Sequence, residues 1–145
     1  MPLSRRTLAL ALTLTRGIGG RTLVRVLTRH DLLGRAPDEL TEMREAVLRE
    51  EYGLSETVAA RWSAEAKARV AEAEALAARL DRHQVQVVTA LDAAYPALVE
   101  QMDPDPPGVL FAYGNRDLLD ARTFAVLSSR QSPPAALDLI ERLTE

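Results

Sequence analysis

Cysteine is absent from the chain, and this excludes disulfides, thiolate metal sites and cysteine nucleophiles. Only two histidines are present, too few for a histidine-rich metal site. No apolar run is long enough to cross a bilayer. The short run 8–12 follows two arginines, but Thr13, Thr15 and Arg16 interrupt it before any clear signal-peptide cleavage site. We therefore expect a cytoplasmic protein without a membrane segment, metal or cofactor.

Acidic residues are scarce at the start of the chain. Residues 1–35 contain seven arginines and one acidic residue, whereas residues 36–145 contain eleven basic and twenty acidic residues. This asymmetry suggests an anionic partner for the N-terminal end, although a solvated basic helix face would explain it equally well. With 47% hydrophobic and 27% charged residues in 145, the composition is that of a folded globular protein.

Hydrophobic periodicity predicts that the first half of the chain is helical. Gly53 is a candidate C-cap and Ser55 a candidate N-cap. In the second helix, Arg21, Arg25 and Arg29 lie four residues apart and therefore form one stripe. The predicted helices cover 5–15, 21–29, from 37 or 38 to 52, and from about 56 to 83.

The pattern changes near residue 84, where short apolar runs typical of strands begin. Strands are predicted at 85–90, 109–113 and 123–127, and a helix at 135–143 with proline at its first turn. We therefore expect an α/β chain with a helical domain over 1–83 and a β-containing segment over 84–145. These elements are too few to cover the faces and edges of a parallel sheet. The β half is expected to be incomplete, and to pack on the helical half, self-associate or stay partly exposed.

A glycine-rich turn joins the first two predicted helices. Two glycines flank one apolar residue, which resembles the helix-hairpin-helix signature. Glycine can adopt positive φ in such a turn, and the N-terminus of the second helix attracts anions. In that signature the turn holds a DNA phosphate without reading sequence. A glycine-rich turn without a ligand is the alternative, and Arg16 stands where proline is usual. The candidate DNA-binding residues here are Arg16, Gly17, Ile18, Gly19, Gly20, Arg21 and Arg25.

A second candidate anion site follows the predicted strand 123–127. Ser128 and Ser129 offer hydroxyl groups, and Arg130 offers a planar guanidinium that suits a phosphate. A loop between a strand and a helix N-terminus is a common anion site. The alternative is an ordinary turn with a solvated arginine. Neither a G-x-G-x-x-G motif nor a Walker lysine is present, so a nucleotide cofactor has no support.

The remaining polar and aromatic residues are interpreted as structural. Trp62 and Tyr95 are expected to pack, and Asp103 and Asp105 to be solvated residues of a proline-rich loop. His30 and His83 lie near predicted helix ends, where a protonated imidazole would complement the helix dipole.

Taken in order, these segments resemble the DNA-processing protein A family (DprA, also called Smf). The resemblance rests on the glycine turn, Val87-Val88-Thr89, the segment 92–98 with Tyr95-Pro96, the run 105–115, and the run 124–130. It implies a helix-hairpin-helix or SAM-like helical domain followed by a Rossmann-like domain that dimerises. It also implies single-stranded DNA binding and loading of a RecA-type recombinase during natural transformation, without catalysis. The family's glycine-serine-arginine DNA loop matches Ser128, Ser129 and Arg130, with serine replacing the glycine.

The family's Rossmann-like domain extends further than residues 84–145, so this segment is expected to be a truncated version of it. The leading hypothesis is a DprA-like accessory protein that binds single-stranded DNA through phosphate contacts. The alternative is a helical interaction module that docks on a recombinase or a DprA partner without its own DNA affinity. A nucleotide or phosphosugar enzyme would need a catalytic acid, base or metal site, and the sequence offers none.

Overall fold

The computed structural model describes residues 2–102, 105–121 and 133–144. Within these residues the chain is mostly helical and carries a two-stranded sheet. The predicted strand 123–127 lies outside the described residues. The elements are α1 (Arg5–Thr13), α2 (Gly20–Leu32), a 3-10 helix (Pro37–Glu42), α3 (Glu45–Glu50), α4 (Glu56–Arg82), β1 (Val85–Thr89), α5 (Ala97–Met102), β2 (Val109–Tyr113), a second 3-10 helix (Arg116–Asp120) and α6 (Pro134–Thr144).

The core forms between α1 and the long helix α4. Every residue from Leu8 to Leu12 is buried, so α1 is enclosed on most of its surface. The Ser55 hydroxyl accepts a hydrogen bond from the Val58 amide at 3.4 Å, which confirms the predicted cap of α4. Trp62 is fully buried on α4, and its position confirms the packing role predicted for it.

The prediction of one helix from about 37 to 52 is wrong. The segment splits into a 3-10 helix and α3, because Met43 and Arg44 have extended backbone with ψ of 138° and 151°. In a continuous helix the Leu40 carbonyl would accept from the Arg44 amide. Here it accepts the indole N–H of Trp62 at 3.0 Å instead. A tertiary hydrogen bond from α4 thus replaces a helical one, while Gly53 still ends the segment with φ of 64°.

A buried hydrogen-bond network holds the C-terminal end of α2. The His30 Nε2–H donates to the Ala36 carbonyl at 2.7 Å, and Nδ1 lies 2.8 Å from the Tyr52 hydroxyl. That hydroxyl also accepts a hydrogen bond from Arg35 at 3.0 Å, so the network joins three side chains. The hydrogen bond to Glu51, and to a smaller extent the one to Tyr52, raises the pKa of Arg35. His30 thus lies in the last turn of α2, at the helix end predicted for it, and is buried with both ring nitrogens near interior partners.

The two described strands pair in an antiparallel sheet, with Val85 opposite Tyr113 and Thr89 opposite Val109. This antiparallel pair differs from the parallel sheet expected from the sequence. Only 90–108 connects the strands, and it contains one short helix, α5. The sheet packs on α1 and α4, and Val109 belongs to the helical core. The helical half thus provides cover for the sheet.

Replacing Leu12 with Ala should lower the free energy of unfolding by about 2–5 kcal/mol, because the fully buried side chain leaves a cavity between packed helices. Urea denaturation followed by circular dichroism measures the change. Leu98→Ala is the matched control, since Leu98 is 56% exposed, and it should change stability by less than about 0.5 kcal/mol. Equal losses in the two variants would contradict this core.

Candidate nucleic-acid interface

The glycine turn between α1 and α2 requires glycine at residue 17. Gly17 has φ of 97°, and a Cβ there would lie 2.8 Å from the Val58 side chain. Ile18 is 8% exposed and joins the core, so it anchors the turn. Gly19 has φ of −90° as the N-cap of α2, a conformation open to any residue. The freedom of glycine to adopt positive φ is therefore used in this turn at Gly17 and not at Gly19.

The first turn of α2 is covered by the segment 105–108. A Cβ on Gly20 would lie 1.8 Å from the Pro106 carbonyl oxygen, so the two backbones touch. The Arg21 amide donates to the Asp105 carboxylate at 3.3 Å, and the Arg21 Nε lies 3.9 Å from the same oxygen. Asp105 is exposed, as expected, but it also caps the helix. The predicted phosphate position thus holds an anion supplied by the chain itself.

Two side chains hydrogen-bond to backbone groups near the two ends of the connection between β1 and β2. The Tyr95 hydroxyl donates to the Pro107 carbonyl at 2.6 Å. The Asp92 carboxylate accepts from the Thr89 amide at 2.6 Å and closes the turn after β1. The family-like residues at 92 and 95 therefore act on the backbone geometry of the loop that reaches α2.

The arginine stripe predicted on α2 lies along one groove. Arg21, Arg25 and Arg29 all line it, and its volume is about 530 Å³. Arg25 donates to the Gly53 carbonyl at 3.0 Å, which holds its guanidinium near the end of α3. Arg16 is exposed but does not line this groove, and its carbonyl accepts from Arg61 at 2.6 Å.

Arg29 also lines the groove, and it is not among the site residues predicted from the sequence. Its four-residue spacing from Arg25 was the available signal. Ser128, Ser129 and Arg130 lie outside the described residues, so the structure gives no geometry for that loop.

The described residues contain neither a membrane-spanning helix nor a cluster suited to a metal ion. None of the helices there combines the length and the apolar character needed to cross a bilayer. In the same ranges, no group of three or more histidine, cysteine or acidic side chains is arranged to hold a metal ion.

The described residues define a mixed α and β protein with an arginine-lined groove on its helical part. The family model for DNA recombination-mediator protein A matches residues 86–145. Residues 86–145 are therefore similar to this family, which supports over that segment the resemblance drawn from the sequence. The name of the family denotes a mediator of recombination. No curated protein and no solved structure matches the chain significantly.

Replacing Gly17 with Ala should destabilise the protein by at least about 1–2 kcal/mol, because a side chain is disfavoured at positive φ and would also press on Val58. Gly19→Ser is the control. Residue 19 already has extended backbone, and serine is a favoured N-cap, so stability should stay within about 0.5 kcal/mol. Urea midpoints measure both changes. A larger loss in the Gly19 variant would show that the turn is built differently.

Proposed function

We propose that this protein is a cytoplasmic, DprA-like accessory factor that binds single-stranded DNA and helps a RecA-type recombinase to load on it, without catalysis. The observation that carries the proposal is the alignment of three arginines on α2, facing a groove whose other wall includes residues of the family-matched segment. Phosphate groups bind arginine well, and a row of arginines contacts a backbone without reading its sequence.

Two regions are proposed to contact the strand. The first is the glycine turn with the start of α2, comprising Arg16, Gly17, Ile18, Gly19, Gly20, Arg21 and Arg25. The second is the loop with Ser128, Ser129 and Arg130, which corresponds to the DNA loop of the family. Binding through phosphates should be insensitive to sequence and should weaken with salt, because each contact releases counterions. The net charge of −3 favours modest affinity.

The Asp105 carboxylate lies where the first region would bind a phosphate. It accepts a hydrogen bond from the Arg21 amide and lies beside the Arg21 guanidinium. A helix N-terminus that already holds a carboxylate has the polarity needed for a phosphate. A phosphate at this position must compete with Asp105, so the carboxylate should reduce the affinity of the turn for DNA.

The exposed aromatic residues of β2 support a second candidate, a protein-docking module. Phe111 is 51% exposed and Tyr113 is 80% exposed, two residues apart on one strand. Large exposed aromatic side chains are common in protein interfaces. A recombinase, a DprA relative or a second copy of this chain could bind there. Association that persists at high salt, in a protein without DNA affinity, would favour this candidate over the first.

Replacing Arg130 with Ala should weaken binding of a labelled single strand, because a phosphate contact is lost. Fluorescence anisotropy at increasing salt measures it. The slope of log K against log salt concentration should fall in magnitude by about 0.7, the value for one phosphate contact on a single strand. Arg79→Ala is the matched control, since Arg79 is exposed in the last turn of α4 and no described residue pairs with its side chain.

Each outcome of this experiment decides between the candidates. Salt-sensitive binding that Arg130→Ala reduces and Arg79→Ala does not would support DNA binding at the loop. Equal effects of the two variants would show that the loop with Arg130 does not contact DNA. Absence of binding by the folded wild type at low salt would reject the DNA function of this chain and favour the docking module.

Replacing Asp105 with Asn should strengthen binding of a single strand about two- to fivefold, because the competing charge at the α2 N-terminus is removed. Anisotropy at low salt measures the dissociation constant. Asp117→Asn is the control, an exposed aspartate of the second 3-10 helix that removes the same net charge elsewhere. Identical gains in the two variants would mean that the glycine turn does not contact DNA.

A further inference from the structure

The groove beside α2 has two walls of different origin. One wall is the exposed face of α2, and the other comes from Ala90 to Pro106, between the two strands. Val24 and Leu32 supply apolar surface from α2, and Leu32 is 76% exposed. Tyr95 adds an aromatic ring from the opposite wall. The groove therefore combines a cationic helix face with apolar and aromatic surface.

The charges along the groove favour an anionic ligand. Among the described residues, three arginines line it against one acidic residue, Glu100. Arg21 is paired with Asp105 and Arg25 donates to a backbone carbonyl, whereas the Arg29 guanidinium has no partner in the described part of the chain. Arg29 lies at the end of the stripe away from Asp105. Among the described residues, the groove arginine whose guanidinium has no partner therefore lies far from the N-terminus of α2.

The distance between successive arginines along α2 is similar to the distance between successive charges of a polyanion. Residues four apart on a helix are separated by about 6 Å along its axis. Successive phosphates of an extended single strand are separated by a comparable distance. A single free phosphate would use one arginine and no apolar surface, and a purely apolar ligand would leave the arginines unused. A strand carrying both phosphates and flat bases uses both properties of the groove.

We propose that the groove binds single-stranded nucleic acid, with phosphates along Arg21, Arg25 and Arg29 and successive bases against Val24, Leu32 and Tyr95. This inference rests on the proposed DNA-binding function and specifies the path of the strand. The path follows the flank of α2, because Asp105 and Pro106 cover the first turn of the helix. Arg29, Leu32 and Tyr95 are binding residues in this arrangement.

Binding of a labelled single strand to the full chain tests the path. Arg29→Ala should weaken binding about tenfold, the loss expected for one charged contact. Leu32→Ala should weaken binding of a normal strand several-fold but leave an abasic strand of equal length unaffected, because only the normal strand has bases to place there. The same Arg79→Ala control should match the wild type. The high exposure of Leu32 and Arg29 makes misfolding an unimportant cause of any loss.

Photocrosslinking gives an independent readout of position. A strand carrying 5-iododeoxyuridine, which reacts readily with tyrosine, should form its adduct at Tyr95. Tyr113 is the internal control, since it is 80% exposed on β2 and does not line the groove. Peptide mapping of the adduct distinguishes the two residues. Adducts at Tyr95 that disappear in the Arg29 variant would support the proposed path.

Contrary outcomes separate this inference from the proposed function. Wild-type binding that Arg130→Ala weakens, with Arg29→Ala and Leu32→Ala equal to the control, would overturn the groove and keep the DNA function. Absence of any wild-type binding or crosslink would overturn both. If the wild type bound an abasic strand as tightly as a normal strand, the proposed contact with the bases would be contradicted. An acidic peptide of equal charge that binds as tightly, with the same loss in Leu32→Ala, would overturn single-stranded nucleic acid as the ligand.

Discussion

The close approach of the Pro106 backbone to the first turn of α2 is the contact on which the rest of the arrangement depends. It is possible because Gly20 has no Cβ, and Gly108 makes a similar approach to Leu23 from the other side of the contact. The loop between β1 and β2 is therefore fixed on the helical half. This contact brings Asp105 to the helix N-terminus and places the residues after β1 opposite the arginines, so one backbone contact creates both the cap and the groove.

The ends of α2 are held by different chemistry. At the N-terminal end, a carboxylate from a loop that follows much later in the sequence caps the helix. At the C-terminal end, His30 is fixed between the Ala36 carbonyl and the Tyr52 hydroxyl inside the protein. A helix restrained at both ends presents its exposed face without a large loss of conformational entropy on binding. The arginine side chains still retain rotamer freedom, since they are exposed.

Local signals were sufficient for most of the elements. Ser55 and Gly53 mark helix ends by their own chemistry, and the apolar runs of β1 and β2 show their period directly. What the sequence does not show depends on distant partners. The break at Met43 follows from a hydrogen bond by Trp62, and the hydrogen bond between His30 and Tyr52 joins residues of different elements. Among candidate site residues, the arginine stripe on α2 was predictable from spacing. The opposite wall of the groove was not, because its residues are far along the chain from α2. The loop at Ser128, Ser129 and Arg130 stays a prediction.

The packing of β2 against α1 has a consequence for the order in which the protein can form during synthesis. Helix α1 is synthesised before β2, which emerges roughly 100 residues later. Until then, part of the apolar surface of α1 that finally meets β2 remains without its partner. Contacts so distant in sequence delay folding, since a long loop must close before they stabilise anything. The helical half can therefore collapse early on the ribosome, but its last layer of packing must wait for the sheet, and chaperones would meet the nascent chain in that interval.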